Sequence, residues 1–201
     1  MHPTIDKESP PRARILAVAT ALFYRHGIRA VGVEAIAEAA CTNKMTLYRH
    51  FASKEALVAE YLRVVAQTTD RCWERQALAH PGDPLGQLTG WLEEMAGHLV
   101  DADGRGCALA NAAIELPQKD HPARPVIEEH KRAQRLRLIR LGEQARLVDP
   151  EMLADELCLL LEGARVMAQS VGTEDLAARL LHMGKAMIAA HTRPRESGGG
   201  D

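Results

Sequence analysis

The chain has 201 residues, 46% hydrophobic but only 3% aromatic, so it can enclose a core filled mainly by aliphatic side chains. Ala and Leu dominate that apolar set, which favours helices over strands, and no apolar run approaches the roughly 18 residues of a membrane span. The net charge of −2 is unevenly spread: residues 1–54 carry eight basic and four acidic side chains (+4), the rest 17 basic and 23 acidic (−6).

The basic first quarter predicts three helices after a polar arm of residues 1–10. Apolar residues recur at helical spacing over residues 12–26, and two shorter segments follow at 33–40 and 43–50. The residues that we expect to end or cap these helices are Gly27, Gly32 and Asn43.

The acidic remainder predicts six more helices. Their approximate spans are residues 54–79, 85–99, 107–116, 120–146, 150–171 and 173–191, with Ser53, Asp120 and Asp149 as the expected caps. Residues 193–201, "RPRESGGGD", predict a disordered tail. No stretch alternates as a strand would, so the predicted fold is all-α, divided into 1–53, 54–192 and the tail.

The segment "CTNKMTLYRHF" (41–51) is rich in hydrogen-bonding side chains and follows a tight connection between two short helices. That layout is typical of a helix-turn-helix, whose second helix enters the major groove of DNA. Lys and Tyr side chains suit phosphates, and Thr suits a phosphate or a base edge. The alternative is a solvated face of a small helical bundle.

Residues 12–57 resemble the DNA-binding domain of the tetracycline-repressor (TetR) family of bacterial regulators. The matching pieces, in order, are "ILAVATALFYRHGI", "VEAIAEAA", "KMTLYRHF" and "SKEAL". The resemblance implies that Leu47 and Phe51 are core residues. It also implies a set of DNA contacts: Gly32, Thr42, Asn43, Lys44, Met45, Thr46, Tyr48, Arg49, His50 and Lys54.

Three positions depart from the family pattern. Val31 and Gly32 stand where a phosphate-binding Thr or Ser is usual, and Met45 stands where a small residue is common. Cys41 occupies the turn position that usually holds Gly. Either this residue adopts a left-handed conformation, at a cost of about 1 kcal/mol, or the turn has another geometry.

The resemblance also implies a C-terminal body that binds a ligand and forms a homodimer. Candidate ligand residues are Trp91, Met95, Leu99, Cys107, Asn111 and Met167, although apolar positions at helical spacing are more often core. The alternative role of Asn111 is a satisfied amide that joins two helices, and that of Cys107 is a small buried apolar residue. Candidate dimer residues on the last two helices are Leu153, Leu157, Leu160, Ala164, Leu176, Leu180 and Met187; the alternative is packing within one chain.

No cofactor or metal is expected. The possible ligands His98, Glu115, His121 and His130 are not three or four residues apart from one another, and the cysteines at 41, 72, 107 and 158 lack metal-site spacing. We therefore expect reduced thiols, a cytoplasmic location and no membrane association.

The predicted function is a homodimeric repressor that binds a palindromic operator and is released by a small-molecule effector. Two alternatives remain open: a DNA-binding protein without an effector, or an all-α enzyme that uses Cys107 or a His/Glu pair. No nucleophile motif or phosphate-binding loop supports the enzyme.

Overall fold

A computed structural model describes residues 9–100 and 105–192 and contains nine α-helices and no strand within those ranges. The helices are α1 (Pro11–His26), α2 (Val33–Ala39), α3 (Lys44–His50), α4 (Lys54–Ala79), α5 (Pro84–Leu99), α6 (Ala108–Glu115), α7 (Arg124–Gln144), α8 (Pro150–Val171) and α9 (Leu176–Ala190). This confirms the all-α prediction. Most of the predicted arm and the predicted tail lie outside the described residues.

None of the described helices combines the length and apolar character that a membrane crossing requires.

Most helix ends follow the predicted capping signals. The side chain of Asn43 accepts a hydrogen bond from Thr46 N at 2.8 Å, Ser53 Oγ accepts from Ala56 N at 3.1 Å, and Asp149 Oδ1 accepts from Met152 N at 3.2 Å. These contacts satisfy amides that have no acceptor within the first helical turn. Gly27 ends α1 with a φ of 88°, a conformation that side chains disfavour.

Two helices begin later than predicted. Helix α7 starts at Arg124, so Asp120 is not its cap. Pro122 disfavours a helical conformation at His121, and His121 instead accepts a hydrogen bond from Ala123 N at 3.1 Å in a turn. Helix α9 starts at Leu176 rather than near residue 173, because Asp175 has a left-handed φ of 54°.

The chain divides into two compact units, each with its own core. Unit 1 comprises the described residues up to 70 together with 105–131; unit 2 comprises 71–100 and 132–192. The boundaries therefore fall within α4 and α7. The predicted functional domains 1–53 and 54–192 stay a prediction.

Unit 1 packs α1, α2 and α3 around a core that includes Ile15, Ile36 and Leu47, all with no exposed surface. The Phe23 ring lies 5.6 Å from that of Tyr61, measured between centroids. Each fully buried side chain of this size stabilises the fold by about 1.5–3 kcal/mol. Unit 1 thus has enough buried apolar surface to hold its helices in fixed orientations.

Hydrogen bonds also attach the α6 segment to the end of α1 within unit 1. Tyr24 Oη accepts from Arg105 N at 3.0 Å and donates to the Gly106 carbonyl at 3.3 Å. The Glu115 carboxylate accepts from Arg29 N at 3.0 Å. A Cβ at Gly27 would lie 3.2 Å from Glu115 Oε2, so both the positive φ and this close approach favour glycine.

Unit 2 packs α5, α8 and α9 against one another. The core is mainly aliphatic, but the Trp73 and Trp91 rings stack with centroids 5.4 Å apart. Helices α5 and α9 approach closely at Gly184, where a Cβ would lie 2.5 Å from Leu92 Cδ2. A larger residue there would force the two helices or the leucine to move.

Candidate nucleic-acid interface

Helix α3 is anchored on one side and open on the other. Leu47 and Phe51 are buried in the unit 1 core, as predicted. Lys44, Tyr48 and Arg49 are exposed, and so is Met45, of which 83% is accessible. The anchor fixes the helix, and the opposite side presents cationic, hydroxyl and thioether groups to solvent.

The turn that precedes α3 is left-handed at Cys41, with a φ of 51°. Cys41 N donates to the Glu38 carbonyl and Thr42 N to the Ala37 carbonyl, each at 2.9 Å. These two bonds close the end of α2 and set the angle at which α3 leaves it. Of the two alternatives for this non-glycine turn residue, the structure has the strained left-handed one.

Lys44 forms an ion pair that the sequence interpretation missed. Its Nζ donates to Glu34 Oε1 at 2.6 Å, joining the first turns of α3 and α2 on an exposed surface. The hydrogen bond from Lys44 lowers the pKa of Glu34, and the carboxylate in turn raises the pKa of Lys44. Sequence spacing gave no sign of it, because residues on two helices meet only when the turn geometry is known.

The other predicted DNA contacts vary in accessibility. Thr42, Thr46 and His50 are half-buried, and His50 Nε2 is covered and has no hydrogen-bond partner among the described residues. Gly32 is the extended N-cap residue of α2. Lys54 begins α4, with Nζ 5.9 Å from the centroid of the Phe23 ring.

An open cleft of about 370 Å³ lies beside Lys54 in unit 1. Its lining residues are Ile28, Arg29, Lys54, Glu55, Val58, Glu115, Leu116, Gln118 and His121. None of the six predicted ligand residues lines it.

The predicted ligand residues fall into both units. In unit 2, Trp91, Met95 and Leu99 are buried in the core and Met167 is exposed. Trp91 Nε1 is buried without a hydrogen-bond acceptor in the described part of the chain. Trp91, Met95 and Leu99 thus have the alternative role of core residues, with one polar atom left unsatisfied.

The two predicted ligand residues in unit 1 have structural contacts. Asn111 Nδ2 donates to the Arg105 carbonyl at 2.6 Å, and the cavity beside it measures about 10 Å³, room for about one water. This geometry supports the alternative role of Asn111 as a satisfied amide. Cys107 Sγ lies 3.7 Å from Lys131 Nζ.

The structure corrects the residues assigned to a dimer surface. Leu153, Leu157, Ala164, Leu176 and Leu180 are buried in the core of unit 2, whereas Leu160 and Met187 are half-buried against it. Buried side chains are not available to a second subunit. The apolar side chains that α8 and α9 do expose are Met152, Leu159, Val166, Met167, Val171 and Met183.

Similarity to known proteins agrees with this geometry. The family model described as bacterial regulatory proteins, tetR family, matches residues 15–61. The "HTH-type transcriptional repressor SCO4008" of Streptomyces coelicolor is 26% identical over 159 residues, which are 75% of this chain and 73% of that protein. The repressor KstR2 of Mycobacterium tuberculosis is 46% identical, but over 52 residues, 26% of each chain.

Solved structures extend the likeness to 91% of the chain. SCO4454, a TetR-family regulator from Streptomyces coelicolor, superimposes with a TM-score of 0.84 at 26% identity over 91% of this chain and 96% of its own. The sav143 protein of Streptomyces avermitilis gives a TM-score of 0.76 at 29% identity over 91% and 98%. Residues 15–61 therefore match the TetR family of bacterial regulatory proteins, and these relatives and structures identify the chain as a DNA-binding transcriptional regulator rather than an enzyme.

Proposed function

We propose that this regulator is a homodimeric repressor that binds a palindromic operator and dissociates when a small-molecule effector binds. The observation that carries the proposal is the α3 surface, in which buried Leu47 and Phe51 hold a helix whose opposite side is exposed and basic. Relatives named as transcriptional repressors support repression over activation.

The exposed side of α3 has the chemistry of a groove-reading helix. Lys44, Arg49 and the Tyr48 hydroxyl suit phosphate oxygens, which fix the position of the protein on the duplex. Met45 and Thr46 suit base edges, and the exposed Met45 side chain can contact a thymine methyl group. Phosphate contacts supply affinity, and these two residues supply sequence preference.

The exposed apolar side of α8 supports a homodimer. Met152, Leu159 and Val166 recur every seven residues, and Leu159 and Val166 are 75% and 60% accessible. Gly163 lies on the same side, with nothing within 4 Å of the position a Cβ would take. Two copies related by a two-fold axis would cover this surface and would present two α3 helices to half-sites about 34–36 Å apart.

Trp91 supports an effector site in unit 2. An unsatisfied buried N–H costs about 1–3 kcal/mol, and Trp91 Nε1 is such a group, on a ring stacked against Trp73. A flat effector with a hydrogen-bond acceptor would satisfy it. To release DNA, that effector must bind the DNA-incompetent state more tightly, because equal affinity shifts no equilibrium.

Selection from a pool of randomised duplexes tests DNA recognition. We expect enrichment of a two-fold symmetric site, bound at least roughly a thousandfold more tightly than random duplex, with two protein copies per site by sedimentation. Failure to enrich any sequence would reject the DNA-binding role, and a single copy on an asymmetric site would reject the dimeric one.

The effector is tested by titrating a library of small molecules against the operator complex. A true effector dissociates the complex of the unmodified protein and has a weaker effect on Trp91→Phe, which keeps an aromatic ring, although a smaller one, and loses the N–H. The matched control Trp73→Phe retains the Trp91 N–H and should keep the response. If no compound dissociates the complex, the function without an effector is favoured.

A further inference from the structure

Within the proposed DNA-binding surface, one acidic side chain is paired with a predicted DNA contact. The Glu34 carboxylate holds Lys44 Nζ at 2.6 Å, and both side chains are more than half accessible to solvent. The hydrogen bond from Lys44 lowers the pKa of Glu34, so the carboxylate is charged throughout the neutral range. In the free protein, the Lys44 ammonium is therefore paired with a carboxylate although its side chain stays accessible to solvent.

We propose that Glu34 limits the affinity of this surface for DNA by occupying Lys44, so that the lysine does not neutralise a phosphate while the pair is intact. The inference rests on the proposed function. Glu34 would then set how much of the binding free energy comes from nonspecific charge, while residues such as Met45 set sequence preference.

Counterion release sets the size of the expected effect. Each phosphate that a protein neutralises adds about 0.9 to the steepness with which log affinity falls against log salt on B-DNA. A lysine already paired with a carboxylate contributes little, because the two charges cancel at the surface. Replacing Glu34 by Gln keeps the size and polarity of the side chain, and it frees one cation for the backbone.

The test compares Glu34→Gln with the unmodified protein by fluorescence anisotropy on the selected operator and on a random duplex, between 50 and 200 mM salt. We expect Glu34→Gln to bind both duplexes more tightly. The ratio of its affinity to that of the unmodified protein should be about 3.5-fold larger at the lower than at the higher salt concentration. That is the change expected for one additional phosphate contact. The ratio of operator to random affinity should stay within about twofold, because phosphate contacts carry no sequence information.

Glu38→Gln is the matched control, since it removes the other carboxylate of α2 without freeing Lys44. If Glu38→Gln raises DNA affinity as much as Glu34→Gln does, the effect is one of general charge and the proposal is overturned. The same holds if Glu34→Gln still tightens binding in a Lys44→Gln background, where no lysine remains to be freed.

Failure of this inference is distinguishable from failure of the proposed function. If the unmodified protein binds operator but Glu34→Gln binds no more tightly, this inference alone is wrong. If neither protein binds any duplex, the DNA-binding role and this inference are rejected together. Thermal unfolding of each variant verifies that these exposed substitutions leave the fold intact.

Discussion

Helices α3 and α8 each bury one side in a core, but the exposed side of α3 is polar and cationic whereas that of α8 is apolar. Each is held by buried leucines, Leu47 in α3 and Leu153, Leu157 and Leu161 in α8. The free side of α3 carries Lys44, Tyr48 and Arg49, whereas the free side of α8 carries Leu159 and Val166. Polar and cationic groups can exchange water for phosphate at little cost, but an apolar surface gains only when another apolar surface covers it. The difference supports the proposals that α3 contacts DNA and that α8 contacts a second copy of the protein.

The largest predicted effect is on the α8 surface. We expect Leu159→Asp to weaken self-association at least roughly a hundredfold, because a two-fold axis would bring two carboxylates together and like charges at an interface cost several kcal/mol. Operator affinity should fall with it, because a monomer reaches only one half-site. Sedimentation velocity at micromolar concentration measures the first effect and anisotropy the second.

The matched control is Leu78→Asp, which introduces the same charge at another exposed leucine of unit 2. Leu78 lies on a different helix, α4, and we expect Leu78→Asp to leave self-association unchanged. Equal behaviour of the two variants would mean that the exposed side of α8 is not where subunits meet.

Helices α3 and α8 also differ in how far their buried sides can be predicted from sequence. Helical periodicity predicts that α8 has an apolar stripe, but α8 has apolar residues on two sides, at Leu157 and at Leu159. Periodicity cannot tell which side meets the chain's own core, because that depends on how α5 and α9 pack. For this reason the sequence-based assignment of Leu157 and Leu180 to the dimer surface conflicts with the structure, in which both lie in the core of unit 2.

Helix α3 was more predictable because its pattern is less ambiguous. Leu47 and Phe51 are four residues apart in a segment otherwise rich in polar side chains, which predicts one buried side, and Asn43 gives a clear cap. The Glu34–Lys44 pair and the covered Nε2 of His50 depend on side-chain packing between helices, which local sequence does not specify.

The next effect concerns DNA affinity. Lys54→Ala should weaken binding to operator and random duplexes alike, by roughly three- to tenfold, and lower the salt slope by about one. The reason is loss of a single phosphate contact at the start of α4. Anisotropy at several salt concentrations gives both quantities.

Lys119→Ala is the control for this prediction, since it removes an exposed lysine of the same unit outside the proposed interface. Its salt slope should match that of the unmodified protein. A Lys54→Ala slope equal to that of the control would assign Lys54 to the fold, where its ammonium lies near the Phe23 ring.

A smaller effect is expected at the turn that orients α3. A left-handed conformation costs a non-glycine residue about 1–2 kcal/mol. Replacement by glycine removes that cost, but glycine loses more chain entropy on folding, which costs about 0.5–1 kcal/mol. We therefore expect Cys41→Gly to raise the free energy of unfolding by about 0.5–1 kcal/mol. Urea denaturation measures it, and Cys41→Ala, which removes the thiol but keeps the strain, should show no gain. Equal stabilisation by both variants would attribute the effect to the thiol.

The smallest predicted effect is a pH dependence at the end of α9. His191 Nδ1 lies 2.5 Å from the Val148 carbonyl, and Nε2 lies 3.1 Å from Glu156 Oε2. Both partners are acceptors, and only the doubly protonated imidazolium donates from both nitrogens. These contacts, first that with the Val148 carbonyl, raise the pKa of His191 above its ordinary value of 6.5.

Because the folded state raises this pKa, the stabilisation from His191 is fully present below about pH 6.5 and is lost as pH rises through the folded-state value. We expect the melting temperature of the unmodified protein to exceed that of His191→Gln by more at pH 6 than at pH 8. His182→Gln removes an exposed imidazole from α9 and is the matched control for loss of a ring. A difference between the unmodified protein and His191→Gln that is equal at both pH values would show that the imidazole contributes by packing alone. The contacts that His191 makes at the end of α9 would then be independent of its protonation. The Glu34–Lys44 ion pair, in contrast, depends on the charge of both groups.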